Sequence, residues 1–151
     1  MPTFPLPVQA ILHQDNLQSA LMITCAAATS DSAVTCLTPE AALDGAFFER
    51  FDLVFVAADV FALDKQHLLQ LLAKARDLLS SRVLVETLPE QHHDWKEADF
   101  LALAMRRRAV TAGADGEHVF YGYDLKTYKP APDWLNPKYW ANPHMWDKAR
   151  W

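Results

Sequence analysis

Apolar residues gather in short unbroken runs separated by polar stretches, and the clearest sequence of such runs spans residues 50–88. Phe51-Asp52-Leu53-Val54-Phe55-Val56-Ala57 and Arg82-Val83-Leu84-Val85-Glu86-Thr87-Leu88 are near-continuous rather than alternating, the pattern of strands covered on both faces. Between them, Leu68, Leu71, Leu72, Ala75 and Leu79 fall on one stripe of a helix from about Lys65 to Leu79. Asp64 is placed to cap that helix, and Lys65, Gln70 and Lys74 mark its wet side. A helix joining two buried strands makes a right-handed crossover, so the sheet is expected to be mostly parallel.

The flanking segments extend this pattern. Residues 1–7 carry three prolines and read as an extended leader, followed by a short helix through Val8, Ile11 and Leu12. Leu21–Ala26 and Ala33–Leu37 are strand candidates whose connection is short for a crossover helix. Thr38-Pro39-Glu40 combines a hydroxyl cap, a proline at the first helical position and an acid in the first turn. Downstream, Asp94 and Glu97 suggest a capping box for a last helix of roughly Trp95 to Thr111, with Leu101, Ala104 and Met105 inward and Gly113 as its stop. His118–Leu125 alternates, as an antiparallel edge strand would. The expected architecture is a three-layer, Rossmann-like α/β domain over residues 1–125, with a mostly parallel sheet of about five strands. Residues 126–151 form a separate extension, carrying four prolines and four tryptophans, that packs on the domain or on a partner.

Composition sets outer bounds. The chain has 151 residues, 51% of them hydrophobic and 22% charged, an ordinary balance for a globular domain. Its net charge of −5 argues against general nucleic-acid affinity. The charge is unevenly spread: no Lys or Arg precedes Arg50, while the extension is net basic. The two cysteines, Cys25 and Cys36, are too few for a disulfide framework or a zinc site and read as small buried thiols in a reducing cytosol. No run approaches the roughly 20 apolar residues of a membrane span, and no basic stretch precedes an apolar one as in a signal peptide. The expected location is cytoplasmic, with no membrane partner.

Ligands of open α/β sheets bind at the carboxyl ends of the strands. The polar groups there are the Cys25–Ser32 loop, Glu40, the Ala57-Ala58-Asp59 turn, and Glu86 with His92-His93. Asp59, just past an apolar strand, can anchor a ligand or simply close a turn. Glu86 near the end of a buried strand needs a partner, for which a salt bridge to an arginine of the last helix is expected. His92 and His93 are adjacent, project differently, and lack companions at ligand spacing, so no metal site is expected. The four glycines, Gly45, Gly113, Gly116 and Gly122, all avoid the loop after the first strand, where close approach of backbone to a nucleotide calls for glycine. In the extension, Tyr128, Trp134, Tyr139, Trp140, Trp146 and Trp151 alternate with cations. Aromatics so placed stack on bases or wrap a protein surface, and the acidic total favours packing.

The stretch from Arg50 to Phe61, continued by Val83-Leu84-Val85-Glu86, resembles the middle of an S-adenosylmethionine (SAM)-dependent methyltransferase. In the extension, Tyr123-Asp124-Leu125, Tyr128-Lys129, Pro132-Asp133-Trp134-Leu135-Asn136 and Trp140-Ala141-Asn142-Pro143 resemble the end of a bacterial domain-of-unknown-function family, a likeness that supplies no activity. The methyltransferase resemblance implies a cofactor site at Cys25, Ala26, Ala27, Glu40 and Ala58, with Asp59 orienting a substrate amine. The chain departs from that pattern: Cys25-Ala26-Ala27-Ala28-Thr29 replaces the glycine motif, Glu40 stands three residues late for the ribose-binding acid, and Ala57-Ala58-Asp59-Val60 replaces the Asn-Pro-Pro-Tyr-type motif. A degenerate methyltransferase-like domain is therefore expected, a binding or interaction module that has lost catalysis and meets a second copy or another protein through its extension. The alternatives are an active methyltransferase with an atypical SAM loop and a single-stranded nucleic-acid binder acting through the aromatic tail.

Overall fold

Among the described residues six strands build one sheet in the order β2-β1-β3-β4-β6-β5, where β1 is Ala20–Ile23, β2 Val34–Leu37, β3 Leu53–Val56, β4 Arg82–Thr87, β5 Arg106–Gly113 and β6 Gly116–Asp124. The computed structural model describes residues 4–14, 16–26, 33–126 and 144. The first four strands run parallel, and β6 and β5 add an antiparallel hairpin beside β4. One row crosses the whole sheet through Cys36, Met22, Phe55, Leu84, Gly122 and Arg106. Because side chains alternate along a strand, this row faces one side and its neighbours face the other.

The two faces are covered unequally. On one side Ile23, Val54, Val56, Val83, Val85 and Tyr121 pack against Leu68, Leu71 and Leu72 of α3 (Lys65–Lys74), Ala42 of α2 (Pro39–Leu43) and Phe100 of α4 (Glu97–Ala102). The Phe100 and Tyr121 rings are stacked, with centroids 3.9 Å apart and planes nearly parallel. The other side, Ala20, Leu53, Phe55, Leu84 and Phe120, is closed by Phe4 and by Val8 of α1 (Leu6–Gln14), with Phe4 edge-on to Phe55 at 5.9 Å. Among the described residues helices thus flank both faces, three on one and one on the other.

The caps follow their chemistry. Thr38 Oγ1 accepts the Ala41 N–H at 3.3 Å to start α2, and Asp64 accepts the His67 N–H to start α3. Beyond Lys74 the helix widens into a π turn over Ala75–Leu79, so the apolar stripe from Leu68 to Leu79 is continuous although its hydrogen bonding changes. Arg76 in that turn donates to the Leu103 carbonyl at 3.1 Å and lies over the Tyr123 ring.

Several expectations need correcting. The proline-rich leader already turns helical at Leu6. The last helix does not reach Thr111: α4 ends at Ala102, Ala104 takes a left-handed φ of 61°, and residues 106–113 form β5. The antiparallel strand β6 is therefore interior, and β5 holds the edge. The helix cap is not Asp94; the Lys96 N–H donates to Asp99 Oδ2 at 2.9 Å. Cys25 is exposed and Cys36 half-buried, not two buried thiols, because the chain leaves the sheet at Ile23 and carries Cys25 into the surface loop.

Candidate functional site

The carboxyl ends of β1, β2 and β3 meet at one edge of the molecule. The register pairs Ile23 with both Leu37 and Val56, so Thr24, Thr38 and Ala57 follow side by side. Past β3 the chain enters a 3-10 turn over Ala58–Ala62, in which Ala58, Val60 and Phe61 are buried. That burial fixes the turn and leaves Asp59 outward, toward the loop after β1.

Asp59 Oδ2 accepts three hydrogen bonds: from Thr24 Oγ1 at 2.6 Å, from the Cys25 N–H at 3.1 Å and from the Ala26 N–H at 3.1 Å. The Ala26 N–H is shared with Thr24 Oγ1, also at 3.1 Å. A carboxylate holding two successive backbone amides and a hydroxyl clamps the start of the loop, and charge-assisted bonds of this kind are the strong ones. Thr24 is buried (4% exposed), so its hydroxyl depends on this partner. The sequence offered no signal for Thr24 beyond its place at a strand end.

The expected site residues therefore divide. Cys25, Ala26 and Asp59 are in direct contact, Ala58 is buried in the turn beneath them, and Ala27 lies outside the described residues. Glu40 stands exposed in the first turn of α2. Burial, then the Asp59 charge, then the Glu40 charge push the Cys25 thiol above its ordinary range. It is kept protonated and is a poor nucleophile. The Glu40 and Asp59 carboxylates thus make this end electronegative.

Glu86 finds a different partner from the arginine expected. His118 of β6 places Nδ1 3.1 Å from Glu86 Oε1, because the strand inserted beside β4, rather than a helix, supplies the neighbour. His92 is half-buried and stacks on Phe61 at 4.8 Å; its Nδ1 accepts the Leu88 N–H at 3.2 Å. Burial lowers the His92 pKa. With Lys65, His93 and Trp95 these rings line a groove of about 210 Å³. Among the described residues no group of three or more His, Cys, Asp or Glu could hold a metal ion, and no helix is long and apolar enough to cross a membrane. The aromatic and cationic positions from Tyr128 to Trp151, including the tail motif, lie outside the described residues.

Residues 5–151 match the model of a family described as a family of unknown function, DUF6231. The sequence matches none of the curated proteins with which it was compared. Among solved structures, the chain is similar to the methyltransferase domain of bacterial CtHen1-C, with a TM-score of 0.57 at 12% identity over 79% of this chain and 95% of that one. It is similar to magnesium protoporphyrin IX methyltransferase (ChlM) from Synechocystis PCC 6803, with a TM-score of 0.56 at 10% identity over 77% and 75% of the two chains. A TehB-like SAM-dependent methyltransferase from Corynebacterium glutamicum gives a TM-score of 0.51 at 14% identity, covering 77% and 86%. The fold is accordingly that of the methyltransferases, as the strand–helix–strand centre led one to expect.

Proposed function

The chain belongs to the DUF6231 family, whose description assigns no activity, and from that premise we propose that it is a non-catalytic binding or interaction module on a methyltransferase fold. The observation that carries this reading is the clamp. The carboxylate that would orient a substrate spends one oxygen on Thr24, Cys25 and Ala26. The same backbone amides that a glycine-rich loop would offer to a ligand are thereby taken up by the protein itself. In this reading the partner is a second copy of the chain or another protein, engaged through residues 126–151.

A second reading keeps one observation in its favour. Glu40 and Asp59 both act on Cys25, and an acidic strand end suits a ligand with a cationic sulfonium or amine and vicinal hydroxyls. ChlM has been solved with bound SAM and with bound SAH, so SAM is the cofactor this alternative would use.

Thermal denaturation with and without SAM or SAH separates the two. Under the first reading neither compound raises the melting temperature; a concentration-dependent rise would establish binding to the native state and overturn it. Asp59→Ala adds a second readout. The clamp predicts a loss of about 1–3 kcal/mol of stability, the range for bonds to a charged acceptor at a partly exposed site. A substrate-orienting role alone predicts unchanged stability.

A further inference from the structure

The α1 face of the sheet carries a groove of about 400 Å³, lined by Ile11, Leu53, Leu84, Arg82, Arg108 and Asp124 among others. It lies toward the Arg82 end of β4, the amino end of the parallel strands and so opposite the Asp59 clamp. Its floor is apolar. Its charge is not that of the rest of an acidic chain.

Two arginines, Arg82 and Arg108, line the groove, and Arg106 stands on the neighbouring strand, for reasons visible in the register. Arg106 pairs with Gly122 and shares its face. Between Arg107 and Ala109 the register slips, so Arg108 is the extra residue of a bulge, a device that re-aims a side chain. Its stem lies across Gly122: a Cβ on that glycine would fall 2.8 Å from Arg108 Cγ and 3.3 Å from Arg108 Nε. Glycine is thus needed for the arginine to lie flat over the sheet. Arg82 completes the set, 3.5 Å from Asp124 through Nε. Among the described residues Asp124 is the only carboxylate lining the groove. Asp52, in the adjoining hollow, already accepts the Gln18 and Ser19 amides. Among the described residues no carboxylate is ion-paired with Arg106 or Arg108.

We propose that this groove binds an amphiphilic oxyanion, a small molecule with an apolar body and a terminal carboxylate or phosphate. Charge complementarity selects the head group. Guanidinium groups match planar or tetrahedral oxyanions bidentately, and the groove holds an excess of them over carboxylates. Leu53, Leu84 and Ile11 select the body. The volume falls within the range of small-molecule sites.

The test is an amide-resolved NMR titration of the full chain with decanoate, decyl phosphate, decanol and inorganic phosphate. The expected result is saturable shifts at Leu84, Ala109 and Gly122 with one or both decyl anions. Decanol and phosphate alone bind far more weakly, and the preferred anion tells the carboxylate source from the phosphate one. Arg108→Gln should weaken binding roughly tenfold to a hundredfold, the worth of a charge-assisted bond. Arg107→Gln, whose residue pairs with Tyr121 and faces the other side, should leave it unchanged. Equal binding by decanol, equal binding by bare phosphate, no effect of Arg108→Gln, or a groove already filled by residues 127–151 (Trp contacts to Gly122 without added ligand) would each overturn the proposal.

Discussion

His92 shows how one ring can couple stability to pH. Its Nδ1 accepts the Leu88 N–H and its face rests on Phe61, so the folded state needs that nitrogen unprotonated. Burial holds its pKa below the ordinary 6.5. The unfolded chain therefore takes up the proton first, and the stability this contributes is complete above 6.5, declining as pH falls below it. Asp99, lowered by the Lys96 amide and then Lys65, adds stability present above the ordinary carboxylate value of 3.8 and lost only at more acid pH. The two losses begin at different pH, the histidine's first as pH falls. In urea titrations at about pH 7.5 and about pH 5.5, the wild-type midpoint should fall further than that of His92→Phe, which keeps the stack and removes the titrating nitrogen. Equal falls would show that the histidine does not titrate on unfolding. At this scale Asp59 was legible from its place after an apolar strand, whereas Thr24 was not. A hydroxyl at a strand end carries no mark of the carboxylate that will reach it from 35 residues away.

Elements built from local signals were readable, and those decided by tertiary pairing were not. Thr38-Pro39, Asp64 and the leucine stripe of α3 each act within a turn or two of themselves, and each appears where expected. The stretch after Ala102 is different. Leu101, Ala104 and Met105 fit a helical spacing, but Ala104 turns left-handed and Met105 is buried at the head of a strand. The overlooked signal was the pair Gly113 and Gly116 enclosing two residues between Val110-Thr111 and Val119-Phe120, which is a hairpin pattern. Gly116 has a φ of 109°, a conformation that side-chain-bearing residues adopt at a cost. A Cβ there would also meet Glu90 Oε2 at 2.6 Å, but an exposed glutamate can swing aside, so the backbone term decides. Gly116→Ala should cost about 1–3 kcal/mol, read as a lowered urea midpoint, while Gly45→Ala, with open space around it, should cost far less.

Across the whole molecule, charge is sorted by end. Glu40 and Asp59 stand where β1, β2 and β3 finish, and Arg82, Arg106 and Arg108 gather toward the opposite end. A net charge of −5 therefore describes neither end. The layered α/β plan was legible because each buried run demands cover on both sides. The strand order was not, since nothing in a run of apolar residues states which neighbour it will take.

That order has a consequence for the newborn chain. Among the described strands β6 is made last yet lies between β4 and β5, so the flank of β4 that it covers stays bare until residue 124 has left the ribosome. Until then its amides and carbonyls are open to any other nascent chain, and closure must come from the farthest part of the fold rather than from the nearest. A chain stopped at Gly113 should scatter light soon after release, whereas one carried through Asp124 can satisfy that flank. The sheet thus completes its own middle with the last of its described strands.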